Sequence, residues 1–115
     1  MLGLTPATHI HLAPGATDMR KGFEGLAALV VEVLEGDPRS GHLFLFCNKG
    51  RTRLKVLFWD GSGLWVCSKR LSRGTFRWPA DGGGRSSVAI SQAQLMQLIG
   101  GLDFTNYSER NWWRG

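Results

Sequence analysis

A chain of 115 residues with 43% hydrophobic and 20% charged residues has the composition of one globular domain and excludes a multidomain machine. Fourteen Lys and Arg against nine Asp and Glu give a net charge of +5, which excludes an acidic protein and makes a polyanion a partner to test. The longest apolar run, Leu26 to Val31, is too short to span a bilayer. The N-terminus has no basic region followed by an apolar stretch, so no signal peptide is expected and a cytoplasmic location is. Cys47 and Cys67 are the only cysteines, each inside an apolar segment, as buried thiols in a reducing compartment would be.

The first element is a short strand over Thr8 to Leu12, where Ile10 and Leu12 alternate with His9 and His11 and Ala13-Pro14-Gly15 closes the run. A helix follows, capped by Thr17 or Asp18, with Met19, Phe23, Leu26, Val30 and Val33 or Leu34 at helical spacing. Gly22 and Gly25 are poor helix residues, each costing ~1 kcal/mol relative to Ala, and their spacing suggests close approach by another backbone or a ligand. Gly36-Asp37-Pro38 stops the helix.

From His42 the pattern turns to β. His42 to Cys47 is apolar on both faces, as a central strand requires. Arg53 to Trp59 and Leu64 to Leu71 flank Asp60-Gly-Ser-Gly63, a hairpin signal, and Thr75 to Pro79 reads as a fourth short strand at an edge. Ala80 to Ser87 reads as a loop, and Ser91 with Gln94 forms a capping box for a last helix running to about Ile99. The expected fold is α+β, a mostly antiparallel sheet with an N-terminal and a C-terminal helix. Residues 1–106 form one domain and 107–115 a tail.

The charge is unevenly placed. Residues 49–85 hold nine Lys and Arg against two Asp, a net +7, while the rest of the chain holds five against seven, a net −2. With Trp59 opposite Leu64 across a four-residue loop, Arg53 faces Arg70 and Lys55 faces Ser68; a two-residue Asp60-Gly61 turn shifts the pairing by a step but keeps the same faces. One face then carries Arg51, Arg53, Lys55, Trp59 and Arg70, and the other buries Leu54, Val56, Phe58, Trp65 and Cys67, with Lys69 near the strand end. Like charges directly opposite destabilise a sheet unless something neutralises them. A phosphate backbone would, with Trp59 as a stacking surface; a merely solvated basic face is the plainer alternative.

Catalytic patterns are weak. His9-x-His11 with His42 on a neighbouring strand has the residue types for a divalent metal, but no fixed ligand spacing and no evident second shell, so outward polar residues are the simpler reading. The two cysteines lack zinc spacing, Asp18 and Asp60 fit a helix cap and a turn, no GxSxG occurs, and Gly82 to Ser87 lacks the Gly-Lys-Ser/Thr ending of a phosphate-binding loop. The sequence reads as a non-enzyme without metal or cofactor.

Several strings in order carry a resemblance. Asp18-Met-Arg-Lys-Gly22 with Phe23-Glu-Gly-Leu-Ala27, then Leu54-Lys-Val-Leu-Phe-Trp-Asp-Gly61, Lys69-Arg-Leu71, Gly74-Thr-Phe-Arg-Trp-Pro79 and the closing helix from Gln94 resemble TnpB-type accessory proteins of the insertion-sequence 66 family, over residues 8–104. The chain departs from that pattern at Lys49-Gly50 and at Val66-Cys67-Ser68. The resemblance implies a bacterial transposon protein acting beside a separate transposase and a second accessory protein, with no catalytic residues to carry over.

Two functions follow from these readings. In the first, the chain binds DNA, at transposon ends, through Arg53, Lys55, Trp59, Lys69, Arg70, Arg73 and Arg77. In the second, it is an adaptor between the transposase and the other accessory protein, docking through Arg20, Lys21, Gly22 and Gly25 with Trp112-Trp113 as an anchor.

Overall fold

Five consecutive apolar residues, Leu43–Cys47, form the middle strand of the sheet, and all five are buried, because both faces of this strand are covered. The computed structural model describes residues 4–100, so the tail at 107–115 and the Trp112-Trp113 pair lie outside the described residues. The elements are β1 (Ile10–Leu12), α1 (Phe23–Glu32), β2 (Leu43–Cys47), β3 (Arg53–Trp59), β4 (Leu64–Arg70), β5 (Val88–Ile90) and α2 (Gln92–Gly100). The strands lie in the order β4-β3-β2-β1-β5. Only the β1–β2 pair is parallel, joined through α1; the other three pairs are antiparallel. The fold is the expected α+β arrangement.

Alternation along the strands divides the core in two. Leu26, Val30 and Leu34 of the α1 region pack with Phe44, Phe46 and Leu57 on one face. On the other, Leu43, Leu45, Leu54, Val56 and Phe58 pack with Phe76 and with Leu95 of α2. Fully burying such a side chain contributes roughly 1.5–3 kcal/mol, which holds a helix to each face of the sheet.

Three local expectations are corrected. The first helix begins at Phe23, not after Thr17 or Asp18, and Met19 is not part of it; Gly22 is the N-cap residue and makes no side-chain cap bond. The carbonyls of Met19 and Lys21 accept hydrogen bonds from Lys55 Nζ, so the turn before Gly22 is held by a distant strand rather than by a helical ladder. Asp18 instead accepts from the backbone N–H and the guanidinium of Arg20.

The glycines of α1 are not a site of close backbone approach. A Cβ at Gly22 would meet nothing within 4 Å, and one at Gly25 would meet only the Lys21 side chain. Close approach occurs at Gly36, where a Cβ would lie 3.0 Å from the Phe44 ring. Gly36 N–H donates back to the Val30 carbonyl across Glu35, whose φ of 58° closes the helix in a Schellman-like turn.

Thr75 to Pro79 is not a strand. Its backbone makes isolated bonds, Phe76 N–H to the Arg51 carbonyl and Gly15 N–H to the Pro79 carbonyl, while Phe76 is buried in the core and Trp78 Nε1 donates to the Ala13 carbonyl. The place beside β1 is taken by β5, a three-residue strand directly before the capping box, in the stretch between the loop ending at Ser87 and the last helix to which the sequence pattern assigns no element.

Candidate nucleic-acid interface

The β3–β4 hairpin owes its register to its turn. Asp60 Oδ1 accepts from Ser62 N–H, Ser62 Oγ–H and Gly63 N–H, and Oδ2 accepts from Trp65 Nε1 at 2.7 Å. These bonds hold the Asp60 carboxyl far below the usual carboxylate range, the Trp65 indole first among the causes. The turn sets Trp59 opposite Leu64, hence Arg53 opposite Arg70 and Lys55 opposite Ser68, the register of the four-residue loop rather than of a two-residue Asp60-Gly61 turn.

That register does not leave one open basic face. Residues Arg53, Lys55 and Trp59 alternate with buried ones, but theirs is the face on which α1 packs. Lys55 is half-buried, its ammonium donating to the Met19 and Lys21 carbonyls at 2.7 and 2.8 Å. Arg51 is likewise engaged, donating to the Gly15 carbonyl at 2.8 Å. The Arg39 guanidinium lies 5.2 Å from the centroid of the Trp59 ring, so one side of that indole already carries a cation.

At the open end of the hairpin the cations converge. A cleft of about 400 Å³ is lined by Arg53, Lys55, Lys69 and Arg70 together with Met19, Leu54 and Ser68, with no carboxylate among the described residues that line it. Arg53 and Arg70 are exposed and directly opposite each other. Lys69, on the other face of β4, donates to the Ile99 carbonyl at 2.5 Å, which places a cation at the negative end of α2. Arg73 and Arg77 are exposed in the segment after β4, Arg77 beside the buried Phe76 and engaged in contacts of its own.

Trp65, expected inside, is 47% exposed. It sits on an edge strand, stacked on Phe58 at 6.1 Å with the ring planes 6° apart, and its N–H is held by Asp60. The signal in the sequence was Asp60 five residues before an indole, a polar partner that only a folded turn brings within reach.

The residues considered for docking at the start of the first helix adjoin this cleft, because Met19 lines it and Lys55 donates to the Lys21 carbonyl. Arg20 is exposed and paired with Asp18 at 2.8 Å, which pulls the Asp18 carboxyl down to about 2. Lys21 is half-buried beside Gly25, and Gly22 is exposed at the helix start.

The three histidines do come together. His9 and His42 have ring centroids 4.7 Å apart, His11 lies 6.3 Å from His42, and His11 stacks on Phe44 at 5.5 Å. His42 Nδ1 accepts the backbone N–H of His9, which occupies that nitrogen. Among the described residues no group of His, Cys, Asp and Glu is placed to hold a metal ion. Cys47 is buried, which raises its thiol pKa, and both cysteines are free. No helix among the described residues is long and apolar enough to cross a membrane.

A small α+β domain with a basic cleft at one hairpin end is the class of protein that fold and site define. Residues 8–109 match the family described as IS66 Orf2 like protein, and the chain belongs to that family of non-catalytic insertion-sequence accessory proteins. Two relatives come from Sinorhizobium fredii (strain NBRC 101917 / NGR234). The uncharacterized protein y4hO is 45% identical over 105 residues, 91% of this chain and 88% of that protein. The uncharacterized protein y4jC is 34% identical over 110 residues, 96% of this chain and 92% of that protein. No solved structure matches.

Proposed function

We propose that this accessory protein acts in the cytoplasm by binding the DNA of its element, at the transposon ends, through phosphate contacts centred on Arg53 and Arg70. The observation that carries the reading is their cross-strand pairing at the mouth of a cleft lined, among the described residues, by two further cations and no carboxylate. Such a pair is destabilising alone and is relieved by an anion between the two guanidinium groups. Lys69 adds a further cation to the cleft and Arg73 and Arg77 belong to the same reading as exposed cations of the following segment, whereas Lys55 contributes its charge from a fixed position and Trp59 acts at the margin with Arg39. In this reading the chain works beside the transposase and a second accessory protein of the element.

The test is a fluorescence-anisotropy titration of the full chain on a labelled transposon-end duplex at several salt concentrations. Each phosphate neutralised contributes a slope of about −0.9 in log K against log salt. The Arg53→Gln and Arg70→Gln double variant is therefore expected to lose roughly two units of slope and at least tenfold in affinity at 50 mM salt. Wild-type protein that fails to bind at low salt, or a double variant that binds like wild type, sinks the reading.

A further inference from the structure

The α1 face holds a second cavity, unrelated to the basic hairpin. It is a half-open cleft of about 440 Å³ between the loop at residues 13–18, the C-terminal half of α1 and Arg85-Ser86. Its floor is apolar: Leu29, Leu34, Phe46 and Ala13, with the half-exposed Val33 at the lip. Few polar groups reach into it. The Asp18 carboxylate is bound by Arg20 and the Ser86 hydroxyl donates to Glu35, which leaves the Thr17 hydroxyl and the Lys21 and Arg85 cations among the lining groups. Small-molecule sites place their free polar groups inside an apolar pocket, whereas here the two free cations stand at its rim.

The rim carries a different signature. Lys21 stands just before α1 and Arg85 beside the residue that bonds Glu35, just after it, so the two cations mark opposite ends of the cleft. Neither pairs with a carboxylate; the one ion pair among the described residues is Arg20 with Asp18. Counting the paired Asp18, Arg20 and the Ser86-bound Glu35, the rim remains positive by one charge. The ten residues of α1 between the cations span about 15 Å, which an extended chain of roughly five residues covers.

We infer that this cleft docks a segment of a partner protein that places one large apolar side chain in the pocket between two carboxylates about four residues apart. The apolar floor supplies the anchor site, and Lys21 and Arg85 set direction and register, as charges at the edge of an interface do. This surface is separate from the Arg53–Arg70 cleft and stands whether or not the chain binds DNA.

The probe is a blocked pentapeptide of sequence EAWAE, titrated into the full-length protein labelled for methyl NMR. Saturable shifts are expected at the methyl groups of Leu29, Val33 and Leu34. The peptide KAWAK should bind at least tenfold more weakly and EASAE not measurably. Arg85→Glu, an exposed change that leaves the core intact, should weaken EAWAE at least tenfold and narrow or reverse its advantage over KAWAK. Four results overturn the inference: no shift of these methyls up to 5 mM EAWAE, equal affinity for EAWAE and KAWAK, movement of the same methyls by a DNA duplex, or contacts in the free protein between them and the indoles of Trp112 or Trp113. The third would make the cleft part of a DNA surface and the fourth would show the chain filling it itself.

Discussion

Arg53 and Arg70 are direct cross-strand partners at the open end of the β3–β4 hairpin, two exposed guanidinium groups with no carboxylate among the described residues that line their cleft. Cross-strand pairs of like charge destabilise a sheet, and pairs of opposite charge stabilise it by roughly 0.2–1 kcal/mol. Arg70→Glu is therefore expected to raise stability in 20 mM salt by up to about 1 kcal/mol. The gain should shrink by 500 mM salt, because the pair is exposed and screened. Urea denaturation midpoints at the two salt concentrations check this, and a salt-independent change would mean that repulsion is not the cause. The same substitution is expected to weaken DNA binding, so stability and binding should move in opposite directions.

Lys55 makes the opposite case, a cation whose position is structural. Its ammonium bonds the carbonyls of Met19 and Lys21 from a half-buried position and so ties the start of α1 to β3. Lys55→Met keeps much of the packing of the stem but removes both charge-assisted bonds, each typically contributing 1.5–3 kcal/mol where the acceptor cannot be solvated instead. The expected cost is about 2–3 kcal/mol, read as a lower urea midpoint with unchanged slope. A loss below ~0.5 kcal/mol would show that water replaces the ammonium at little cost.

Ser91 and Gln94 form a reciprocal capping box at α2: Gln94 N–H donates to Ser91 Oγ at 3.1 Å, and Ser91 N–H donates to Gln94 Oε1 at 2.8 Å. Ser91→Ala is expected to cost about 1 kcal/mol, and Ser91→Asp, which keeps the acceptor and adds a charge favourable to the helix N-terminus, should recover most of it. Thermal midpoints of the three proteins provide the comparison.

Legibility in the sequence followed the range of the interactions. The faces of the hairpin strands were readable because alternation acts within a few residues, and the Ser91–Gln94 box for the same reason, while the choice of a four-residue over a two-residue turn is made by the folded Asp60 side chain. The start of α1 was not, because the groups that delay the helix to Phe23 are carbonyls bound by Lys55, 34 and 36 residues away. Thr75 to Pro79 has strand composition, yet the site beside β1 belongs to Val88–Ile90, and the segment instead contributes Phe76 to the core. Of the candidate DNA residues, alternation placed Arg53 and Arg70 on one face; that Lys55 and Arg51 spend their hydrogen bonds on loop carbonyls could not be read from charge alone.

The histidine cluster gives the fold a pH dependence with a definite sign. His11 stacks on Phe44 and faces His42 and His9, with Ala89 of β5 beside it and no carboxylate paired with it among the described residues. Burial, then repulsion from His42 and from His9, lowers its pKa below the ordinary 6.5. In the window between the lowered folded value and 6.5 the unfolded chain binds more protons than the folded one. Stability is therefore full above that window and is lost as pH falls through it. Asp18 and Asp60 also have lowered values, but their losses begin near 3.8 and leave this window to His11. His11→Gln keeps a polar side chain that does not titrate, so its thermal midpoint is expected to fall less than that of wild type between pH 7.5 and 5. Parallel midpoint curves for the two proteins would show that His11 binds its proton equally in the folded and unfolded chains.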